Sequence, residues 1–416
     1  MTRTTRSRRP EFRRLDHDSP ARSVLRRNIG RVFGRRLALL WVLVCLAGCA
    51  QPTERSPAPE LSWTEVHLPD ASENVILGAL VRCANRWYAA GALRDDAGAT
   101  RPAVWSSADS RVWQPLPVAP ISYYGHQQVF FSLACQDGGV AALGSKNGGA
   151  HGNPRISSWH LTGNGTLAEV SAPFELYGGP RAITVTAIAG RRTGWLITGN
   201  WVGPTEQPTA AVWLSADASG FVLHADALGL ASSPQEVSFA RGVVAGPSGW
   251  LVFGDFRPAD SINRQPAVWA STDGLTWTRA ALPVTHGDAS VTALGVNGQR
   301  ILAMGTRGGA PHAWSYDGST WADAGGFPAS NRPGAGLAKV GDVTLTARDG
   351  YAAIDNGSHW AVWRSADLHR WQTVSGPAQP PSGADNRLLL AGSDDLLVAA
   401  ESLRTGSRLW VAARSG

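Results

Sequence analysis

From about residue 75 onward, short runs of apolar, β-branched and aromatic residues alternate with turns rich in Asp, Gly and Ser. No long 3.6-residue stripe appears, so the pattern predicts strands rather than helices. One phrase recurs: AVWSSADSRVWQPLP (103–117), AVWLSADASGFVLHA (211–225), AVWASTDGLTWTRAALP (267–283), HAWSYDGSTWADA (312–324) and AVWRSADLHRWQTV (361–374). A degenerate copy, SSWHLTGNGTLAEV, covers 157–170. Each copy reads as a hairpin, two strand-like runs about a turn. A second hairpin-like pair precedes each one, as in ARGVVAGPSGWLVFGDF (240–256). One period is therefore four strands.

The residue closing each turn is Trp113, Leu167, Phe221, Trp277, Trp321 or Trp371, at spacings of 44 to 56 residues. Four-stranded propeller blades repeat on this scale. The last unit, 388–413, holds only three strand patterns, and SWTEVHLP (62–69) matches the missing fourth. Trp63 stands 50 residues before Trp113, in phase with the repeat. The expectation is an all-β, seven-bladed propeller of four-stranded antiparallel blades, its last blade closed by the N-terminal strand. The 44-residue unit and the degenerate unit leave six or eight blades as alternatives.

Composition agrees. The 416 residues include 47 Gly and 18 Trp, only 17% are charged, and Lys146 and Lys339 are the only lysines. Such a chain is too apolar for disorder and long enough for a core that needs no staples. The net charge of +6 comes from residues 1–48, which hold 12 Arg against Glu11, Asp16 and Asp18. Without them the balance is slightly acidic, so a nucleic-acid partner is not expected.

That basic segment leads into an apolar run, Leu37 to Leu46, too short to span a bilayer. It ends in Leu46-Ala47-Gly48-Cys49, which resembles the lipobox of bacterial lipoproteins. The resemblance implies a signal peptide over 1–48, cleavage before Cys49 and a diacylglyceryl thioether, with palmitate-like chains, on that residue. Residues 49–60 would then be a lipidated, Pro-rich tether and 61–416 the propeller domain. The protein would sit on the outer face of a bacterial cytoplasmic membrane. An ordinary signal peptide with an incidental cysteine is the alternative.

The turn sequences resemble the Asp-box of sialidase-like, BNR-repeat propellers, Ser-x-Asp-x-Gly-x-x-Trp. The nearest copies are Ser271–Trp277 and Ser315–Trp321, each with its Gly one residue early. Their aspartates, with those of the poorer copies, are Asp109, Asp217, Asp273, Asp317 and Asp367. Asp in a turn accepts hydrogen bonds from backbone N–H groups just ahead, so a structural role is expected. In the resembled family these turns lie opposite the ligand face.

Cys83 and Cys135 occupy equivalent places in successive units, so an inter-blade disulfide is expected in an exported protein. No metal or cofactor motif is present, and none is expected. On the presumed ligand face, the segments 92–102, 145–154, 200–208 and 255–266 read as long loops. Binding candidates there are Asp95, Asp96, Tyr123, Tyr124, Tyr177, Arg257, Arg307, Arg332, Arg387 and Arg404. Asp255, Asp355 and Glu401 are the candidates for catalysis. The leading expectation is a non-catalytic, monomeric binding or scaffold module for an envelope protein or glycan. The alternatives are a sialidase-like glycoside hydrolase acting on envelope polysaccharide and an assembly factor for a membrane complex. The sialidase resemblance implies three arginines on the substrate carboxylate, a Tyr nucleophile paired with Glu and an Asp acid/base, whereas ordinary glycosidases need two carboxylates at a set separation.

Overall fold

The computed structural model describes residues 61–414, apart from short segments at 70–73, 150–151, 285–286 and 328–338 and the positions 378, 384, 394–395 and 404. All belong to one compact unit, 58–416. The leader, Cys49 and the tether lie outside the described residues, as do Arg332 and Arg404.

Seven sheets form the unit, and the first strand of each packs against the first strands of its two neighbours, closing a ring. These first strands are Asn74–Cys83, Val129–Gln136, Ala182–Arg191, Glu236–Ala245, Ala289–Asn297, Lys339–Leu345 and Arg387–Gly392, for blades 1 to 7 in order. Blade 7 is completed from the other end of the chain. Leu61–Val66 pairs antiparallel with Gly406–Arg414, with Trp63 opposite Ala412. The fold is therefore the seven-bladed, all-β propeller that the periodicity predicts.

The third strand of every blade carries a tryptophan: Trp105, Trp159, Trp213, Trp269, Trp314, Trp363 and Trp410, all buried. Each removes on the order of 200 Å² of mostly apolar surface from water. Several also satisfy their indole N–H, Trp213 to the Leu176 carbonyl at 2.8 Å and Trp314 to that of Pro283 at 2.9 Å. The turn residues Trp113, Trp277 and Trp371 are buried as well.

Each Ser-x-Asp turn is locked by its aspartate. Asp273 accepts the N–H groups of Leu275 and Thr276, both at 2.8 Å, and the Ser271 hydroxyl at 2.9 Å. Asp109, Asp317 and Asp367 each bind two N–H groups in the same way, and Asp217 binds one. The residue after the aspartate has a left-handed backbone in all five copies: Ser110, Ala218, Gly274, Gly318 and Leu368. That conformation explains the early glycine, since only glycine adopts it without steric cost.

The first strands of blades 1 to 6 bulge at corresponding places, and the extra residue is Gly78, Phe131, Thr186, Arg241 or Thr292 in blades 1 to 5. Blades 1 to 5 set a glycine of the second strand against the residue before the bulge: Gly91, Gly144, Gly199, Gly254 and Gly305. A Cβ at Gly91 would lie 1.7 Å from the Ile76 carbonyl oxygen, and at Gly305 1.8 Å from that of Ser290. The glycine is required because the bulge brings the two backbones together.

Cys83 and Cys135 form a disulfide, Cα to Cα 5.7 Å, joining the ends of the first strands of blades 1 and 2. Two expectations are corrected. Blade 2 has a fifth strand, Val118–Ala119, which runs parallel to Leu167–Glu169. The expected long loops are mostly hairpin, paired out to Arg94↔Thr100, Gly148↔Asn153, Val202↔Pro208 and Phe256↔Gln265. Polar side chains disguise these extensions, because backbone pairing continues after the apolar alternation has ended.

Candidate functional site

Antiparallel succession puts the Ser-x-Asp turns and the disulfide at one end of the ring. The starts of the first strands and the hairpins between second and third strands lie at the other. At that second end the channel between the first strands opens into a cavity of about 810 Å³. Its wall combines apolar groups of blades 1 to 3, among them Phe131, Phe174 and Ile183, with the bulge residue Arg241 and with Arg387. A narrower groove of about 330 Å³ leads outward between blades 2 and 3. Cavity and groove share Pro154, Ile156, Phe174, Tyr177 and Gly178, so they form one continuous depression.

The outer bank of the groove is the segment linking blades 1 and 2, which ends in a short 3-10 turn, Gly125–Gln127. Glu169, buried at the end of its strand, holds this segment in place. One of its oxygens accepts the N–H groups of Ile121 and Ser122 at 2.8 and 2.9 Å. The other accepts the hydroxyls of Ser122 and Ser157, both at 2.6 Å. Burial works against the charged carboxylate, but these donors outweigh it and hold its pKa below the usual range. Gly125 is needed here, since a Cβ would lie 2.0 Å from a Glu169 oxygen.

So fixed, the segment displays Tyr123 and Tyr124, which meet edge to face with centroids 5.1 Å apart. The Tyr124 hydroxyl accepts the Gly149 N–H at 3.0 Å. Arg155 lies over two rings, 5.6 Å from the centroid of Tyr124 and 4.4 Å from that of Phe174. Ile121, Phe174 and Ile183, all exposed, line this depression, and the exposed Tyr123 stands against Tyr124 on its bank. Scattered apolar surface residues need no explanation, but a cluster beside a concavity is a candidate contact surface.

Among the predicted binding residues, Tyr123, Tyr124, Tyr177 and Arg387 come together here. Tyr177 is buried, donates to the Ser158 hydroxyl at 3.1 Å and packs on Trp213. Burial pushes its pKa far above the usual phenol range, so at neutral pH it is a donor and not a phenolate nucleophile. The others stand apart. Asp95 caps the 95–99 turn by accepting the Ala99 N–H at 2.8 Å, with Asp96 exposed beside it. Arg307 pairs with Asp323 at 3.0 Å in blade 5, and Arg257 reaches the Ser261 carbonyl at 3.4 Å in blade 4.

The three candidate catalytic carboxylates occupy corresponding second-strand positions in blades 4, 6 and 7, and none lines the channel mouth. Asp255 is fully buried and receives the Arg241 guanidinium at 2.6 Å. Desolvation raises its pKa, opposed chiefly by Arg241. Glu401 is held by Arg408 through two nitrogens at 3.0 and 2.7 Å. Asp355 accepts the Gly357 N–H at 2.9 Å and the Ser382 hydroxyl. Each is bound within its own surroundings, an arrangement that fits local structure better than a shared acid–base pair. Among the described residues no cluster of three or more His, Cys, Asp or Glu could hold a metal ion.

Sequence reasoning passed over Phe174, Ile183, Arg155 and Glu169. Phe174 stands in the segment between blades 2 and 3 and Ile183 at the start of the first strand of blade 3, both outside the repeating phrases, and chemistry-bearing residue types do not flag them.

No family model matches the chain, and no curated protein matches it in sequence. Among solved structures it is similar to YCF48 bound to a D1 peptide, at 12% identity over 87% of this chain and 97% of that one, with a TM-score of 0.52. It is also similar to the β-propeller domain of the trilobed protease from Pyrococcus furiosus, at 9% identity over 82% and 96% of the two chains (TM-score 0.46). A third similar structure is the extracellular domain of the putative hybrid two component system BT4673 from B. thetaiotaomicron, at 10% identity over 85% and 40% (TM-score 0.48). At such identities the shared property is the fold, a propeller ring.

Proposed function

We propose that this chain is an extracytoplasmic binding module, anchored by a lipid on Cys49, that takes a polypeptide partner of the cell envelope at the channel-mouth face. Residues 1–48 act as the signal peptide, 49–60 as the tether and 61–416 as the binding domain. The Ser-x-Asp turns are Asp-boxes of the BNR type with a purely architectural role. The observation that carries the reading is the gathering of exposed Ile121, Phe174 and Ile183 along one depression, with Tyr123 against Tyr124 on its bank, while Asp255 and Glu401 are committed to arginines. Aromatic anchors beside a concavity suit polypeptide side chains. YCF48, the solved structure similar to this chain at 12% identity, holds a D1 peptide, which makes a peptide the ligand class to test first.

The test is photocrosslinking in intact cells, with a photoreactive residue at Tyr123 or Phe174 of the full chain. A discrete polypeptide adduct is expected at the membrane, and Cys49→Ser should move the protein into the soluble fraction. Sugar released from purified envelope glycan, and abolished by Asp355→Asn or Glu401→Gln, would overturn the reading in favour of a hydrolase.

A further inference from the structure

The groove between blades 2 and 3 has a chemical asymmetry that narrows what it would take. Its surfaces are apolar and aromatic: Pro154, Ile156, Pro173, Phe174, Tyr177 and the face of Tyr124. Its two charged residues are Glu169 and Arg155. Glu169 already accepts four hydrogen bonds from the protein, two on each oxygen, so it has little capacity left for a ligand.

Arg155 is in the opposite condition. The residue is half-buried, its guanidinium lies over the Tyr124 and Phe174 rings, and no described residue gives it a carboxylate or carbonyl partner. Its Nε is shielded from solvent without a hydrogen bond. Stacking occupies the faces of a guanidinium and leaves its donors in the plane, where a carboxylate binds two at once. A cation on an apolar bank, with no partner among the described residues, favours an anionic group flanked by hydrophobic surface.

The geometry points to this groove as the docking site for an extended polypeptide segment that carries an Asp or Glu next to a large apolar side chain. Arg155 takes the carboxylate, and Phe174 with Tyr124 covers the apolar neighbour. Glu169 is a positioning residue, fixing the bank that carries Tyr124. This inference rests on the proposed polypeptide-binding role of the face and assigns it a place and a preference.

The experiment selects random octapeptides, blocked at both ends, against the full-length chain in detergent micelles. The recovered peptides are then measured by fluorescence anisotropy. Expected are sequences with an acid beside an aromatic or branched aliphatic residue. Changing that acid to its amide should weaken binding about tenfold or more, the loss typical of a charge-assisted hydrogen bond. Arg155→Gln should weaken the acidic peptide equally and leave the amide peptide unchanged, while Arg155→Lys restores part of the loss. Unfolding curves of the variants check that the fold is intact.

Peptides that bind equally well to Arg155→Gln and Phe174→Ala, but compete with a probe attached at Ile262 on the blade 4 hairpin, would overturn the groove assignment. They would leave the polypeptide-binding role of the face standing. Recovery of no peptide above background would overturn both.

Discussion

At the end of the ring with the Ser-x-Asp turns, five aspartates spend their carboxylates on the backbone just ahead of them. At the opposite end, Glu169 also binds backbone N–H groups, but those belong to a segment nearly 50 residues earlier in the chain. The chemistry is the same and the range differs. A carboxylate serving its own turn can recur in blade after blade, because nothing beyond the turn has to match. One with a distant partner must match two segments far apart in the chain, as Glu169 does for the groove bank and Asp342 does in accepting the Leu390 N–H of the next blade at 3.2 Å. Repetition builds the scaffold, and the departure from it builds the groove.

Three experiments would break or sharpen that contrast. The largest effect is expected from Cys83→Ser with Cys135→Ser, which opens the staple at the repetitive end. A bridge across 52 residues constrains the unfolded chain enough to contribute about 4 kcal/mol, read as a lower denaturation midpoint. Peptide binding at the far groove should survive where the protein is still folded; its loss would show that the two ends are coupled.

Next comes Glu169→Ala. Two amides and two hydroxyls lose their acceptor, at a cost of about 3 kcal/mol in urea unfolding. Groove binding should disappear with the bank it supports. A loss below about 1 kcal/mol would mean that water replaces the carboxylate and that its reach across the chain is incidental.

The smallest effect belongs to the turns. Backbone N–H donors depress the pKa of Asp273 and of Asp317 from 3.8 to about 2. A depressed carboxylate stabilises the fold fully above its unfolded pKa, and the contribution is lost as pH falls through the folded one. Denaturation midpoints should therefore drop between about pH 4 and pH 2. Asp273→Asn with Asp317→Asn should flatten part of that slope and leave groove binding unchanged. An unchanged slope would remove these carboxylates from the stability of the ring.

Much of the scaffold was legible because its signals are side chains at a fixed period. The third-strand tryptophans and the Ser-x-Asp pairs revealed four strands per unit, and Trp63 in phase with them revealed how the ring closes. The bulges were not legible as such, since an extra backbone residue has no side chain of its own type. Gly91 and Gly305 marked them only from the opposing strand. The hairpin extensions were hidden for a related reason: Lys146 and Arg155 pair across the ladder like any apolar couple. The candidate site was legible in part. Tyr123, Tyr124, Tyr177 and Arg387 fall at the channel-mouth end, whereas Asp255 and Glu401 looked available because Arg241 and Arg408 stand on neighbouring strands. Pairing across strands depends on register, which residue type does not reveal.

Closure by Leu61–Val66 also sets a schedule. Among the described strands, the first to be synthesised completes its ladder only against the last, Gly406–Arg414. At roughly 5–20 residues per second, the interval between them is on the order of tens of seconds. Throughout that wait the early strand is a free edge, of the kind that seeks wrong neighbours. It is short, and Ser62, Thr64 and Glu65 make half of it polar, which suits a segment that must stay in water unpaired. The ring is thus finished in a single late event, and a chain cut short of its final strand leaves blade 7 open however well the other blades have formed.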